Sequence, residues 1–191
     1  TGGNFEALAI NPTAATTSIT DTVDVTTVSM TASASVAEGG TITYTASLNN
    51  AADTPVSVTL SNGAIISITA GASSGSVSIP APSDDVYVDA GNVSATIVSA
   101  TGGNFESLMI DPAAATTTIT DTIDTTTVSL TASPSVAEGG SIVYTASLDN
   151  PAGTPVTVTL SNGASIAIAA GASSGSVSVL APSDDVYIDA G

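Results

Sequence analysis

Apolar residues alternate with serine and threonine at a period of two in block after block of this chain. The blocks are Val28 and Met30, following Thr26; Ile42, Tyr44, Ala46 and Leu48; Val56, Val58 and Leu60; Ile66 and Ile68; Val77 and Ile79; Val93, Ala95 and Ile97; and Thr117 and Ile119. Successive side chains of a strand point to opposite faces, so the pattern predicts strands with one face in a core and the other in water. Helix signals are absent. Between the blocks lie Glu38-Gly39-Gly40, Asn49-Asn50, Ser61-Asn62-Gly63, Ala70-Gly71 and Gly102-Gly103-Asn104. These predict turns, because Gly and Asn tolerate positive φ. The blocks make seven strands in about one hundred residues. That is enough to close a core and predicts an all-β fold, an immunoglobulin-like seven-stranded β-sandwich.

The pattern then begins again. Residues 1–91 align without a gap with residues 101–191, and 70 of the 91 pairs are identical, so the chain reads as tandem sandwich repeats of one unit. On this frame a complete unit spans residues 25–124. Residues 1–24 are the closing loop and strand of a preceding copy, and residues 125–191 the first five strands of a following one. Partial sandwiches expose sheet edges and half a core, so neighbouring copies in tandem are expected to complete them. Each added copy extends such an array without adding chemistry, which predicts a mechanical role.

Composition narrows the partners. The chain has no Lys, Arg, His, Cys or Trp, and its 17 Asp and Glu give a net charge of -17. No side-chain salt bridge is possible, so carboxylates gathered by folding must stay solvated, take up protons or recruit an outside cation. Nucleic acid and anionic lipid are excluded as partners, because nothing here neutralises phosphate. Residues 54–83 and 150–183 carry no charge, but Pro, Gly, Asn and many Ser and Thr interrupt them, so no direct membrane insertion is expected. At 42% hydrophobic in regular alternation, the chain has apolar surface to bury and is expected to fold.

In such a sandwich the loops after the first, third and fifth strands, with the end of the seventh, share the pole opposite the N-terminus. The acids fall there: Glu38 in SVAEGG, Asp84, Asp85 and Asp89 in SDDVYVDAG, and Asp121 and Asp124 in TDTID. Calcium accepts six to eight oxygens in flexible geometry, whereas magnesium demands a stricter octahedron and zinc or copper would want His or Cys. Ca2+ is the expected ion. The second copy offers Glu138, Asp184, Asp185 and Asp189, and Asp21 and Asp24 close the preceding copy. Any one of these acids alone reads as solvated surface. Glu6 and Glu106 read as solvated loop at the other pole, and Phe5 and Phe105 as plugs of that loop onto the core. Asn92-Val93-Ser94 matches the short glycosylation pattern. Asn11, Asn49 and Asp53, replaced in the other copy by Asp111, Asp149 and Gly153, receive no role.

The segments SVAEGGTITYTASL, TPVSVTLSNG, GASSGSVSI, APSDDVYVDAG and TTTITDTID resemble the extender repeats of giant bacterial RTX adhesins and, more distantly, Calx-β domains. The resemblance spans the whole repeat. It implies a calcium-loaded sandwich strung in tandem as the stalk of a biofilm adhesin, secreted by the type I route to the bacterial cell surface. By match of motif, Glu38, Asp84, Asp85, Asp89, Asp121 and Asp124 would be the calcium-side residues.

The expected function is therefore an extender, with domains held end to end by Ca2+ and a distal adhesive module projected from the cell. The alternative is an extracellular filament whose chains associate head to tail by strand addition. An enzyme is not expected, since nucleophilic triads, His-metal hydrolysis and Lys phosphate loops are unavailable. A carboxylate pair could cleave glycosides, but two Phe and four Tyr leave little aromatic surface to seat a sugar.

Overall fold

The computed structural model describes residues 2–186, and every regular element in them is a β-strand. One layer of the first unit is a sheet in the order β6 (Ser74–Pro80), β3 (Thr41–Leu48), β1 (Val25–Ala32), β9 (Ser107–Ile110). All its pairings are antiparallel except β1 with β9, which run parallel. The facing layer holds β5 (Ile65–Ile68), β4 (Val56–Leu60) and β8 (Ile97–Gly102), and a second ladder of β2 (Ser35–Ala37), β10 (Ala115–Thr120) and β7 (Gly91–Ala95). Alternation fixes which residues meet. Val28, Ile42, Tyr44 and Ala46 from one layer and Val56, Val58, Leu60, Ile66, Ile68 and Ile119 from the other are buried in one apolar cluster.

The seven predicted blocks become ten strands. β2 and β9 lie in segments read as loops, and the sixth block divides at Thr96. That division is a change of partner: β7 pairs with β10, while β8 pairs with β4. Ser61 occupies the gap, its Oγ accepting from Thr96 N at 3.1 Å and its N donating to Thr96 O at 2.9 Å. Ala95 and Ile97 stay on the inward parity across the break, so hydrophobic alternation carries no mark of it. A similar exchange follows β1. Ser33 Oγ accepts from Thr43 N at 3.0 Å at the end of the β1–β3 ladder, and Ala34 O then accepts from Thr118 N of the opposite layer at 3.1 Å. Between β9 and β10 stands Pro112, which has no N–H to continue a ladder.

The second copy repeats the first five blocks. β11 (Val128–Ala132), β12 (Ser141–Leu148) and β15 (Ser174–Leu180) form one sheet, and β13 (Val156–Thr159) pairs with β14 (Ser165–Ile168). The registers are those of copy one, with Val128 opposite Leu148 as Val28 is opposite Leu48. Burial is not. Val28 is fully buried and Val128 is 49% exposed, because strands equivalent to β7–β10 do not cover it among the described residues. Residues 2–24, expected to hold a closing strand, form none and are exposed. Ile19 is 95% exposed where Ile119 is 2%. Among the described residues, no strands equivalent to β2 and β7, between which β10 is hydrogen-bonded, lie beside residues 15–20.

This asymmetry gives a stability test. Leu60→Ala should destabilise copy one by about 2–5 kcal/mol, the usual cost of a cavity in a closed core, and Leu130→Ala at the open face by under about 1 kcal/mol. Urea unfolding followed by circular dichroism measures both.

Candidate metal centre

The acidic pole is assembled by backbone hydrogen bonds before any side chain is considered. Glu38 N donates to Thr120 O at 3.1 Å, Gly39 N to Pro82 O at 2.7 Å, and Ala81 N to Gly40 O at 3.0 Å. These tie the turn after β2 to the end of β10 and to the start of residues 81–90. The two glycines are needed for different reasons. Gly39 is left-handed at φ 67°, and a Cβ on Gly40 would lie 2.8 Å from Ala37 O and 2.7 Å from Val36 Cγ1. The turn therefore closes tightly enough to bring Glu38 back over the sheet.

Strand register places the acids. β2 and β10 run parallel with Thr120 opposite Ala37, so the next step along both sets Asp121 beside Glu38. β10 and β7 run antiparallel with Ile119 opposite Gly91, so two steps on Asp121 also faces Asp89. Glu38, Asp121 and Asp89 thus form one transverse row at the margin of the β2–β10–β7 ladder. They fall on the parity of Val36, Ile119 and Val93, which faces the core. Of the three, Glu38 is buried, Asp121 half-buried and Asp89 exposed at this margin.

The geometry agrees. One oxygen from each of Glu38, Asp89 and Asp121 lies within 4.8 Å of the others. Glu38 is only 7% exposed, and Glu38 Oε2 and Asp121 Oδ1 are buried without a hydrogen-bond partner. The Glu38 carboxyl is pushed up to about 7, first by a hydrogen bond with Asp89, then by burial, then by the charges of Asp89, Asp121 and Asp85. In a chain without side-chain cations, a shared proton is the internal means of relieving this row.

The other predicted residues stand around it. Asp84 Oδ1 accepts from the Thr122 hydroxyl and its Cβ lies near Gly39. Asp85 Oδ1 accepts from Tyr87 N at 2.7 Å. Asp124 is not in the three-carboxylate row; it lines a cavity of about 90 Å3 with Val86, Val88 and Asp121. In the second copy Gly139 N still donates to Pro182 O at 2.6 Å, but Glu138, Asp184 and Asp185 are exposed. Asp189 lies outside the described residues.

Several residues without an assigned role prove to hold backbone. Asn49 Oδ1 accepts from Thr27 N at 2.8 Å, and Asp149 Oδ1 does the same for Thr127 N at 2.9 Å. Asn11 and Asp111 likewise accept from N–H groups two residues on. Each site uses only an acceptor oxygen, so amide and carboxylate interchange between copies. The Asx-Pro sequence signals the local pair; nothing local signals the long-range one. Glu106, read as solvated, accepts from Asp24 N at 2.6 Å at the start of β1. Phe105 packs on the core as a plug, but Phe5 is 66% exposed.

Residues 24–122 and again 124–191 match the LapA domain. The chain belongs to the LapA domain family. LapA is a large adhesin family involved in biofilm, so the chain is an adhesin-related protein with a role in cell adhesion, and membership points to the cell surface. A comparison with curated proteins returns no match. No helix among the described residues is long and apolar enough to cross a membrane. The acidic row of the first LapA domain thus sits in an all-β scaffold of sandwich repeats.

Between the ordinary carboxyl value of 4.5 and about 7, folded Glu38 keeps a proton that the unfolded chain has lost. Stability without added metal should therefore fall as pH rises through this window. Melting in EGTA at pH 5.5 and pH 8 should show the lower transition at pH 8, and Glu38→Gln should flatten the difference.

Proposed function

We propose that these LapA domains are extender units of a cell-surface adhesin stalk, each stiffened at its acidic pole by Ca2+ and together projecting a distal adhesive module. The observation that carries the reading is the row of Glu38, Asp89 and Asp121, with oxygens within 4.8 Å of one another and two of them buried without a partner. Calcium–oxygen distances of about 2.3–2.6 Å allow one ion to reach oxygens spaced about 5 Å apart. The donor set is all oxygen, which suits a hard cation. Asp84 and Asp85 would add negative potential beside the ion, and waters and carbonyls would complete its shell. Binding would displace the Glu38 proton, so affinity should strengthen as pH rises through about 7.

Consecutive LapA domains follow with no spacer, since Asp121 and Asp124 close one unit and β11 of the next begins at Val128. An ion at this pole would hold the closing strand, the turn after β2 and residues 81–90 as one rigid platform from which the next unit departs. No enzymatic role is assigned to it.

Extracellular modules bind calcium at about 0.1–1 mM, and at one hundred times the dissociation constant the folded state gains about 2.7 kcal/mol. The melting temperature should rise with calcium, and small-angle scattering should show a longer, stiffer particle than in EGTA. Glu38→Gln combined with Asp121→Asn should abolish both responses. An unchanged melt and unchanged scattering would count against the reading.

A further inference from the structure

The loop Gly102-Gly103-Asn104-Phe105-Glu106 joins β8 to β9 at the head of the complete unit, the pole opposite the acidic row. Three successive residues are left-handed, Gly102 at φ 98°, Gly103 at 84° and Asn104 at 56°. Side chains rarely adopt this backbone, and a Cβ on Gly103 would also meet the Phe105 ring. The fold then anchors the loop. Phe105 packs on the core, Asp53 Oδ2 accepts from Asn104 Nδ2 at 3.0 Å, and Asp53 N donates to Gly103 O at 3.1 Å. Its shape is nonetheless encoded locally. Gly2, Gly3 and Asn4 are left-handed in the same order, at φ 118°, 91° and 51°, although residues 2–24 form no strand.

What the loop delivers is Glu106. Val25 of β1 lies opposite Ser107 of β9 in the parallel ladder, so one step back along both strands sets Asp24 beside Glu106. There a side chain prolongs the ladder: Glu106 Oε2 accepts from Asp24 N at 2.6 Å. Such charge-assisted bonds are shorter and stronger than neutral ones. Asp24 is the last residue of TDTVD, the closing segment of the preceding copy, and corresponds to Asp124 of TDTID. The bond therefore ties the last residue of one repeat to the head loop of the next.

We infer that Glu106 is the receiving residue of the joint between repeats, and that its partner is the backbone of the preceding copy's closing segment. The preceding unit enters with its final N–H pinned, so the chain cannot pivot freely about Val25. Along an array, the glutamate of each following copy takes the N–H of the residue equivalent to Asp124. That residue then serves the joint through its main chain, although its carboxylate is outside the acidic row. The preceding copy carries the same loop, with Glu6 in the place of Glu106, so each unit brings its own receiver. None of Glu38, Asp89 or Asp121 takes part, and the receiver stands or falls separately from the calcium reading.

Nuclear magnetic resonance on the whole chain in EGTA tests this. In wild type the Asp24 amide should exchange with solvent about tenfold or more slowly than those of Thr22 and Val23. Its heteronuclear Overhauser effect should match that of β1. Glu106→Ala should bring Asp24 to the exchange rate of Thr22 and Val23 and loosen residues 22–24, with protection along Val25–Val28 unaltered. Glu106→Gln, which keeps an acceptor oxygen, should retain most of the protection. An Asp24 amide that is unprotected in wild type, or still protected in Glu106→Ala, would overturn the assignment. So would loss of protection along Val25–Val28 in that variant, since Glu106 would then merely stabilise β1.

Discussion

Three carboxylates occupy a row where an apolar layer would otherwise close the sandwich, and the chain contains no side-chain cation to balance them. Uncompensated charge in a half-buried site is costly, and the cost does not fall with better packing. The local architecture is organised around that row. The double-glycine turn folds Glu38 inward, the Thr120 and Pro82 carbonyls hold the turn in place, and residues 81–90 bend back so that Asp89 completes the set. Apolar residues in the row would give a more ordinary core, with nothing to respond to an ion or a proton. The acids leave the end of the first unit with charge that no side chain of the protein can balance.

The segment of residues 81–90 joins two structural tasks. Its Asp89 belongs to the acidic row of its own sandwich, while the Tyr87 hydroxyl donates to Pro151 O. Asp85 links the two, since its carboxylate accepts from Tyr87 N and its charge acts on Glu38. Anything that orders or loosens this stretch is felt on both sides of the junction.

Much of this was legible in the sequence. Alternation located the core strands because each inward position is an apolar residue flanked by Ser or Thr, and turn chemistry marked the glycine bends. Strand order places Glu38, Asp84, Asp85, Asp89, Asp121 and Asp124 at one pole, and three of them, Glu38, Asp89 and Asp121, form the row. What alternation could not carry was a change of hydrogen-bonding partner without a change of face, as at Thr96, where the inward parity runs on. Short β2, sitting inside a segment read as a loop, was invisible for the same reason: three residues are too few for a period. Asp124 shares a motif with Asp121, but only the latter lies on the row, a difference of register that spacing does not encode.

The parallel pairings bear on how a unit carries load. The strand that opens the sandwich, Val25–Val28, lies beside Ser107–Ile110, and Ser35–Ala37 lies beside Thr118–Thr120, all in the same direction. Tension entering at Val25 and leaving beyond Thr120 pulls these neighbours past one another along their length. Their hydrogen bonds are then strained in shear, as a group, instead of peeling one at a time from a frayed end. Were the chain pulled from its ends, this threading would set its closing strands in the direction in which they resist most.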